Sequence, residues 1–414
     1  MHLAMDDVAF AYKKCAVLQQ EFGILCYWNH AKQKVVFCEQ WGLPFGAVAS
    51  VTGFCRLPHL LTRFARIFFA ALCDHYIDDA LQPDFVEAND SAQVALGYLF
   101  KKVGIPFSEK KRQRPESVQN ELGVTCDLSS FHTKGEAVVT PKVARCEHIL
   151  ETLADCEARN RLTSGQAKET FGKLSFSLQS LFGRVGRAAA LPILLRCYNS
   201  GDTSFGQDLR EMRAFFATIL DPRNLPARIF RFNAMDRPII ICSDASESPG
   251  YRGLGAVIHD CENPTHGRHY TADTCPKWLE ELFLEHGATS ICSLEMLAAL
   301  CSLLTFRRWL KHRRVLFFID NTAAWSAMIN GYTSSPPMAR LSTLFHLAAA
   351  ALSIDCWVEW VNTDANLADL PSRPLAQRTE LYNARPAFKQ LQMIFPSPAE
   401  HADPRLLFHN LQPK

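Results

Sequence analysis

The chain has 414 residues, 48% of them hydrophobic and 21% charged, with a formal net charge of +2. That composition excludes a disordered chain, and the length fits roughly two to four domains. The small net charge excludes a generally basic protein, so any nucleic-acid surface must be a local patch. Fifteen cysteines with no C-x-x-C pair show neither a secreted disulfide scaffold nor zinc-ligand spacing. Reduced thiols and an intracellular protein are expected, with cytoplasm or nucleus left open. The N-terminus lacks the apolar core of a signal peptide, and no apolar run reaches the roughly 18–20 residues of a membrane span, so no membrane partner is expected.

In chain order, "KVVFCE" (34–39) predicts a strand and "LPFG" (43–46) a turn. Residues 51–72 are apolar at helical spacing and predict a buried helix. "HYIDDALQ" (75–82) predicts a short β segment with two acids at a bend, and 88–103 an amphipathic helix ended by Gly104 and Pro106. Residues 107–128 suggest two short strands around a basic loop. The stretch from about 140 to 220 is helical, with Thr163 or Ser164 as a cap. From Pro238 onward strands and helices mix: "PIIICSD", "GLGAVIHD" and "HYTAD" as strands, "SLEMLAALCSLLTFRRWL" as helix, "RRVLFFID" as strand, two helices, then "DCWVEWVN" as strand. Residues 376–414 suggest a loosely packed tail.

Four acids fall at the ends of these elements: Asp244, Glu295 in the first turn of its helix, Asp320 and Asp369. Four carboxylates in one cleft cannot all stay ionised without a cation, and hard oxygen ligands suit Mg²⁺ or Mn²⁺. "ICSDASESPGYRGLGAVI", "ICSLEMLAAL", "FFIDNTAAWSAMINGYTSS" and "NTDANLADLPSR" resemble the ribonuclease H domain of retroelement reverse transcriptases, over roughly residues 236–373. The closing N-x-A-D-x-P-S-R (Asn366 to Arg373) is similar to the retrotransposon branch. The resemblance implies that Asp244, Glu295, Asp320 and Asp369 are catalytic metal ligands for two ions. The histidine that many relatives carry before the last aspartate is missing, which is expected to affect rate. Asp364 is out of register and expected to be a surface loop acid. The role of the insert at 259–290 stays open.

With that domain downstream, "YIDD" (76–79) resembles the aromatic-x-Asp-Asp hairpin of a reverse transcriptase palm. The pattern continues in Asp7 with Tyr12 five positions on, "LPFG", the lysine-bearing "VGIPFSEKKRQRP" and "ELGV" (121–124). The resemblance implies Asp7 and Asp78 as metal ligands, Asp79 as support and Tyr12 under the sugar of the incoming nucleotide. It also implies Leu43, Pro44, Phe45 and Gly46 around the nucleotide, and Lys110 or Lys111 as proton donor to pyrophosphate, the register favouring Lys111. Mg²⁺ or Mn²⁺, two ions per site, RNA template, DNA primer, deoxynucleoside triphosphates and an RNA–DNA hybrid are the implied cofactors and partners. Oligomeric state stays open.

Arg184 and Arg187 are candidates for nucleic-acid backbone contact, against a helix–helix interface with a basic edge. "FRRWLKHRR" (306–314) is a candidate grip on hybrid phosphates beside the nuclease site, against a solvated helix end. Only six residues precede Asp7, so the resemblance implies a palm without fingers and little or no polymerisation. The expected fold is α/β and α+β multidomain. It comprises a partial palm (1–128), a helical thumb or connection region (129–232), a ribonuclease H-like mixed-sheet α/β domain (233–375) and a tail (376–414). The rival expectation is an inactive retroelement remnant that only binds nucleic acid.

Overall fold

The computed structural model describes residues 1–17, 23–181, 184–232, 237–263, 268–285, 290–374 and 388–412. The fold is mixed α/β and multidomain, as the sequence predicts. It divides into two compact units, Met1–Glu121 with Thr125–Ala137, and Leu122–Val124 with Val138–Lys414. Among the described residues no helix is long and apolar enough to cross a membrane.

The first unit runs β1 (His2–Asp7), β2 (Ile24–Asn29), β3 (Lys34–Glu39), α1 (Val48–Phe69), β4 (Asp74–Tyr76), β5 (Asp79–Asp84), α2 (Ser91–Lys102) and β6 (Gln113–Glu116). Its four-stranded sheet has the order β4-β5-β1-β6, with β2 and β3 a separate ribbon. The core joins Phe54, Leu61 and Ala65 of α1 to Leu96 and Phe100 of α2, with Val8 and Ala80 beneath. The helix expected to be buried is buried on one stripe only. Phe54, Pro58, Leu61 and Ala65 face inward, while Ile67 and Phe68 stay 65% and 66% exposed. Apolar content on both faces of a helix cannot tell which face meets a neighbour. The basic residues Lys110, Lys111 and Arg112 precede β6 rather than separating two strands. After β6 come β7 (Val118–Glu121) and β8 (Val124–Asp127), joined by Leu122 and Gly123 at φ 43° and 79°. Positive φ at both positions is the signature of a two-residue type I′ turn, which favours glycine second. Then α3 (Phe131–Lys134) and β9 (Glu136–Pro141) lead onward.

The second unit opens with α4 (Val143–Ala158), α5 (Ser164–Gln179), α6 (Leu191–Tyr198) and α7 (Gln207–Ile219), then β10 (Arg228–Arg231). Thr163 caps α5 in a capping box with Gln166. There follow β11 (Ile239–Ser248), β12 (Tyr251–Asp260), β13 (Arg268–Thr274), α8 (Lys277–Glu285), α9 (Ser290–Leu310), β14 (Arg314–Ile319), α10 (Thr322–Asn330), α11 (Pro336–Ala351), β15 (Asp355–Trp360), α12 (Asp369–Ser372), β16 (Lys389–Leu391), α13 (Pro398–Ala402) and α14 (Pro404–Leu411). The sheet order is β15-β14-β11-β12-β13-β16. Strands β11, β12 and β13 form an antiparallel meander, and β14 and β15 add in parallel beyond β11.

Helix α11 is buried almost all round because two cores claim it. Leu341, Leu344 and Phe345 pack with the sheet and α9, while Leu347, Ala350 and Ala351 pack with the core of α4–α7. One expectation changes here. The described end of the chain is not loosely packed: β16 pairs in parallel with β13, and Met393, Leu407 and Phe408 are buried. The described parts of the 259–290 insert, whose role the sequence leaves open, belong to the sheet and its core. Strand β13 is internal to the sheet, and Leu279 and Phe283 of α8 lie in its core. Residues 264–267 and 286–289 of that insert lie outside the described residues.

Candidate metal centre

Strand β11 carries Asp244 in its interior, not at its end as the apolar run suggested, because pairing with β12 continues to Ser248. Glu295 lies on α9, at its sixth residue rather than in the first turn, since the helix already runs at Ser290. Asp320 follows β14, and Asn321 caps α10 by accepting from Ala324 N. Two neighbouring parallel strands and a helix thus deliver three acids to one place. Among the described residues, Asp244, Glu295 and Asp320 are the one set of three ligating side chains with atoms within 4.8 Å of one another.

The electrostatics follow from that crowding. Burial pushes the Asp244 carboxyl up to about 7, and the charges of Asp320 and Asp369 add to it. Glu295 is raised well above the usual range by burial, then by Asp244 and Asp320. Glu295 Oε2 and Asp320 Oδ1 are buried without a hydrogen-bond partner. Buried polar atoms are rarely left so. An all-oxygen set of this charge, with oxygens left over, fits a hard divalent cation such as Mg²⁺ or Mn²⁺.

The segment Asn366–Arg373 is fastened beside these acids by glycine. In the β11/β12 pairing Gly255 lies opposite Asp244 and Gly253 opposite Ser246. Opposed residues share a face, so the missing side chains leave a trough. A Cβ on Gly255 would strike the backbone of Pro371 and Ser372, and one on Gly253 the Ser372 carbonyl. Into that trough Ser372 O accepts from Ser246 Oγ (2.6 Å) and Tyr251 OH (3.1 Å), while Asn366 Nδ2 donates to Ser243 O (3.0 Å). Ser372 Oγ stands 2.5 Å from Asp244 Oδ2 and 2.9 Å from Asp369 O. Its single proton goes to the carboxylate, the stronger acceptor. Gly255→Ala is therefore expected to lower stability by at least about 2 kcal/mol, measured as a shift in denaturant midpoint at constant slope.

Asp369, the fourth expected acid, is not part of the three-acid set. Its Oδ1 accepts from Arg373, at 2.5 Å. Asp364 is exposed in a 3₁₀ turn. Ser372, Arg373, Gly253 and Gly255 were not singled out from sequence. Their signal was there, in a G-x-G one strand after an acidic strand and in the polar end of the closing motif. Trp360 also reaches the centre, donating its indole N–H to Asp320 O (2.8 Å).

In the first unit, antiparallel pairing sets Asp7 opposite Asp79, with Asp78 in the turn between β4 and β5. Ile77, the first turn residue, has φ 55°, a strained value for a β-branched side chain, costing on the order of 1–3 kcal/mol. Lys111 Nζ donates to Asp7 Oδ2 at 2.8 Å. Asp79 is raised by burial, then by Asp78 and Asp7, with Lys111 opposing. Tyr12 stacks edge-on to Phe45 (5.0 Å), and Leu43 N donates to Tyr12 O (3.1 Å). Pro44 and Gly46 (φ 87°) complete that turn. Asp7, Asp79 and Lys111 thus share one neighbourhood, and Tyr12, with Leu43 and Phe45, adjoins it through the charge of Asp78, but Asp7, Asp78 and Asp79 do not form a three-ligand set. Next to them Asp6 is buried, and its carboxyl is pushed up to about 6 by that burial.

Two basic candidates resolve differently. Arg184 Nε donates to Ile329 O (2.7 Å) and Arg187 to Asn330 O (3.1 Å), the last carbonyls of α10, whose C-terminal Gly331 sits at φ 63°. They cap a helix end, which is the interface reading. Arg184→Ala with Arg187→Ala is expected to cost about 1–3 kcal/mol of stability and leave the salt slope of nucleic-acid binding unchanged. The 306–314 run is split: Trp309 packs on His269 (4.6 Å), and Arg313 pairs with Asp260 (3.2 Å) and Glu262 (2.8 Å). Arg308 lies on the same helix as Glu295, about 20 Å further along its axis, so this run does not flank the acids.

No protein-family model and no curated protein matches this chain. Among solved structures it is similar to the foamy viral protease-reverse transcriptase dRH in complex with double-stranded DNA, with TM-score 0.43, 10% identity, and 87% of this chain covering 57% of that one. It is similar also to the foamy viral protease-reverse transcriptase in complex with RNA/DNA hybrid, with TM-score 0.43, 10% identity, 90% of this chain and 45% of that one. The chain therefore spans about half the length of these first two structures.

Proposed function

We propose that the second unit is a metal-dependent nuclease of the ribonuclease H type, cleaving the RNA strand of an RNA–DNA hybrid. The observation that carries this reading is the set Asp244, Glu295 and Asp320, with atoms within 4.8 Å and two buried oxygens unpartnered. Asp369, bonded to Arg373 outside that set, would be the fourth ligand. A meander of three strands with two parallel strands added beyond the first agrees with the sequence resemblance. Two Mg²⁺ or Mn²⁺ ions, when bound, supply the Lewis acid for phosphodiester hydrolysis. Asp244, Glu295 and Asp320 would hold the ions, with Ser372 fixing Asp244 through its hydroxyl and Trp360 fixing the backbone at Asp320. On this reading residues 1–128 are a polymerase palm, 129–232 a thumb or connection, 233–375 the nuclease and 376–414 its C-terminal extension. Template, primer and deoxynucleoside triphosphates would be the palm's partners.

The test is a hybrid labelled on each strand in turn, incubated with Mg²⁺ or with chelator. RNA-strand cleavage that needs Mg²⁺ and spares the DNA strand is expected; cleavage of both strands, or none, sinks the reading. Polymerisation is expected to be weak, because Lys111 holds Asp7 and the palm acids are not gathered. Primer extension, with Asp78→Asn as control, checks it. Should extension fail, and salt-sensitive binding persist without any cleavage, the chain is a remnant that only binds nucleic acid.

A further inference from the structure

We infer that Arg373 is a built-in counter-cation that keeps Asp369 from the acid cluster until a substrate phosphate draws it away, so that substrate governs occupancy of the fourth-carboxylate subsite. The inference rests on the nuclease reading above and concerns how that centre is regulated.

Two observations lead to it. First, Asp369 is the one of the four acids missing from the gathered set, and its Oδ1 is bonded to Arg373. Second, the backbone that carries both residues has little freedom. Ser372, between them, is fully buried, and its carbonyl and hydroxyl are bonded to Ser246, Tyr251 and Asp244. Asn366 ties the start of the segment to Ser243. The Arg373 side chain itself is 45% exposed, and Asp369 is 28% exposed.

The chemistry gives the direction. A guanidinium and a divalent cation compete for one carboxylate, since each satisfies the same oxygens. A phosphodiester offers the guanidinium a planar, doubly accepting partner that matches its fork. Arrival of a nucleic-acid strand would therefore exchange the Arg373–Asp369 bond for an Arg373–phosphate bond and release Asp369 to a cation. A bare centre with no substrate would be held short of its full cation complement.

Mn²⁺ titration of the full chain by calorimetry, with paramagnetic resonance to count bound ions, tests this. Arg373→Gln is expected to tighten the weaker Mn²⁺ site about tenfold without substrate, the worth of one charge-assisted bond. Arg373→Lys, which keeps the charge, is expected to resemble the parent. Adding Asp369→Asn to Arg373→Gln is expected to remove the gain. In an Asp320→Asn background, which blocks cleavage, Arg373→Gln is expected to weaken hybrid binding. Tighter metal with weaker hybrid is a pairing that a merely structural arginine does not give. An Mn²⁺ isotherm that Arg373→Gln leaves unchanged or weakens overturns the inference. If Asp320→Asn alone leaves the isotherm of the parent chain unchanged, the metal centre itself is wrong and both readings fall. If Asp320→Asn shifts it and Arg373→Gln does not, only this inference falls.

Discussion

Asp320→Asn is expected to reduce hybrid cleavage by about a thousandfold or more, since a lost cation removes several kcal/mol of transition-state stabilisation. In chelator, the same substitution is expected to raise the melting temperature by a few degrees. The two effects share a cause. Without a cation, Asp244, Glu295 and Asp320 crowd three acids within 4.8 Å in a largely buried site, and replacing one by an amide of nearly unchanged shape relieves the other two. An ordinary core substitution lowers stability, so a gain marks a site kept for function at the expense of the fold. Adding Mg²⁺ should stabilise the parent chain and leave the variant nearly unmoved, because the ion stabilises only the state that binds it. Scanning calorimetry of both proteins, in chelator and in Mg²⁺, reads all of this at once. A variant that melts lower in chelator and still cuts would sink the metal-centre assignment.

How far the sequence reveals this arrangement depends on the kind of interaction. Local periodicity was enough for most elements of the second unit. The β-branched "PIIIC" run and the apolar helix carrying Glu295 are determined by neighbours in sequence. The acids were legible because carboxylates beside apolar runs are costly, and hence conspicuous. Long-range matters were not legible. Nothing local says that β11 continues past Asp244, because that depends on its pairing with β12. Nothing local says that Gly253 and Gly255 make room for Ser372, which lies more than a hundred residues on. The packing of residues 389–412 was missed for the same reason: β16 is only three residues long and gains its order from β13. The arginines of 184–187 were ambiguous because a positive charge suits a helix C-terminus as well as a phosphate.

In chelator, stability is expected to fall by on the order of a few kcal/mol between pH 5 and pH 8, and saturating Mg²⁺ is expected to abolish much of that fall. The sign follows from the carboxyls of the centre. Asp244 is raised from 3.8 to about 7, and Glu295 is raised in the same direction. A carboxyl whose folded value is raised binds its proton more tightly in the native state than in the unfolded chain. Its contribution is therefore fully present below the unfolded value near 4 and is lost as pH rises through about 7. A cation reverses the sense, because the carboxylates must be deprotonated to bind it. Other groups titrate in the same range and must be separated: Asp79 is raised in the same direction, whereas burial lowers His346 and His401 to about 4 and so opposes the fall. Burial raises Asp6 to about 6 and Glu121 to about 7, and neither belongs to the three-acid set, so Mg²⁺ should not rescue their share. The difference between the chelator and Mg²⁺ curves thus isolates the centre. Urea unfolding at each pH measures it, with Asp244→Asn as the control in which that difference should shrink. Parallel curves for the parent chain, with the same loss in chelator and in Mg²⁺, would mean that the three acids do not bind the ion.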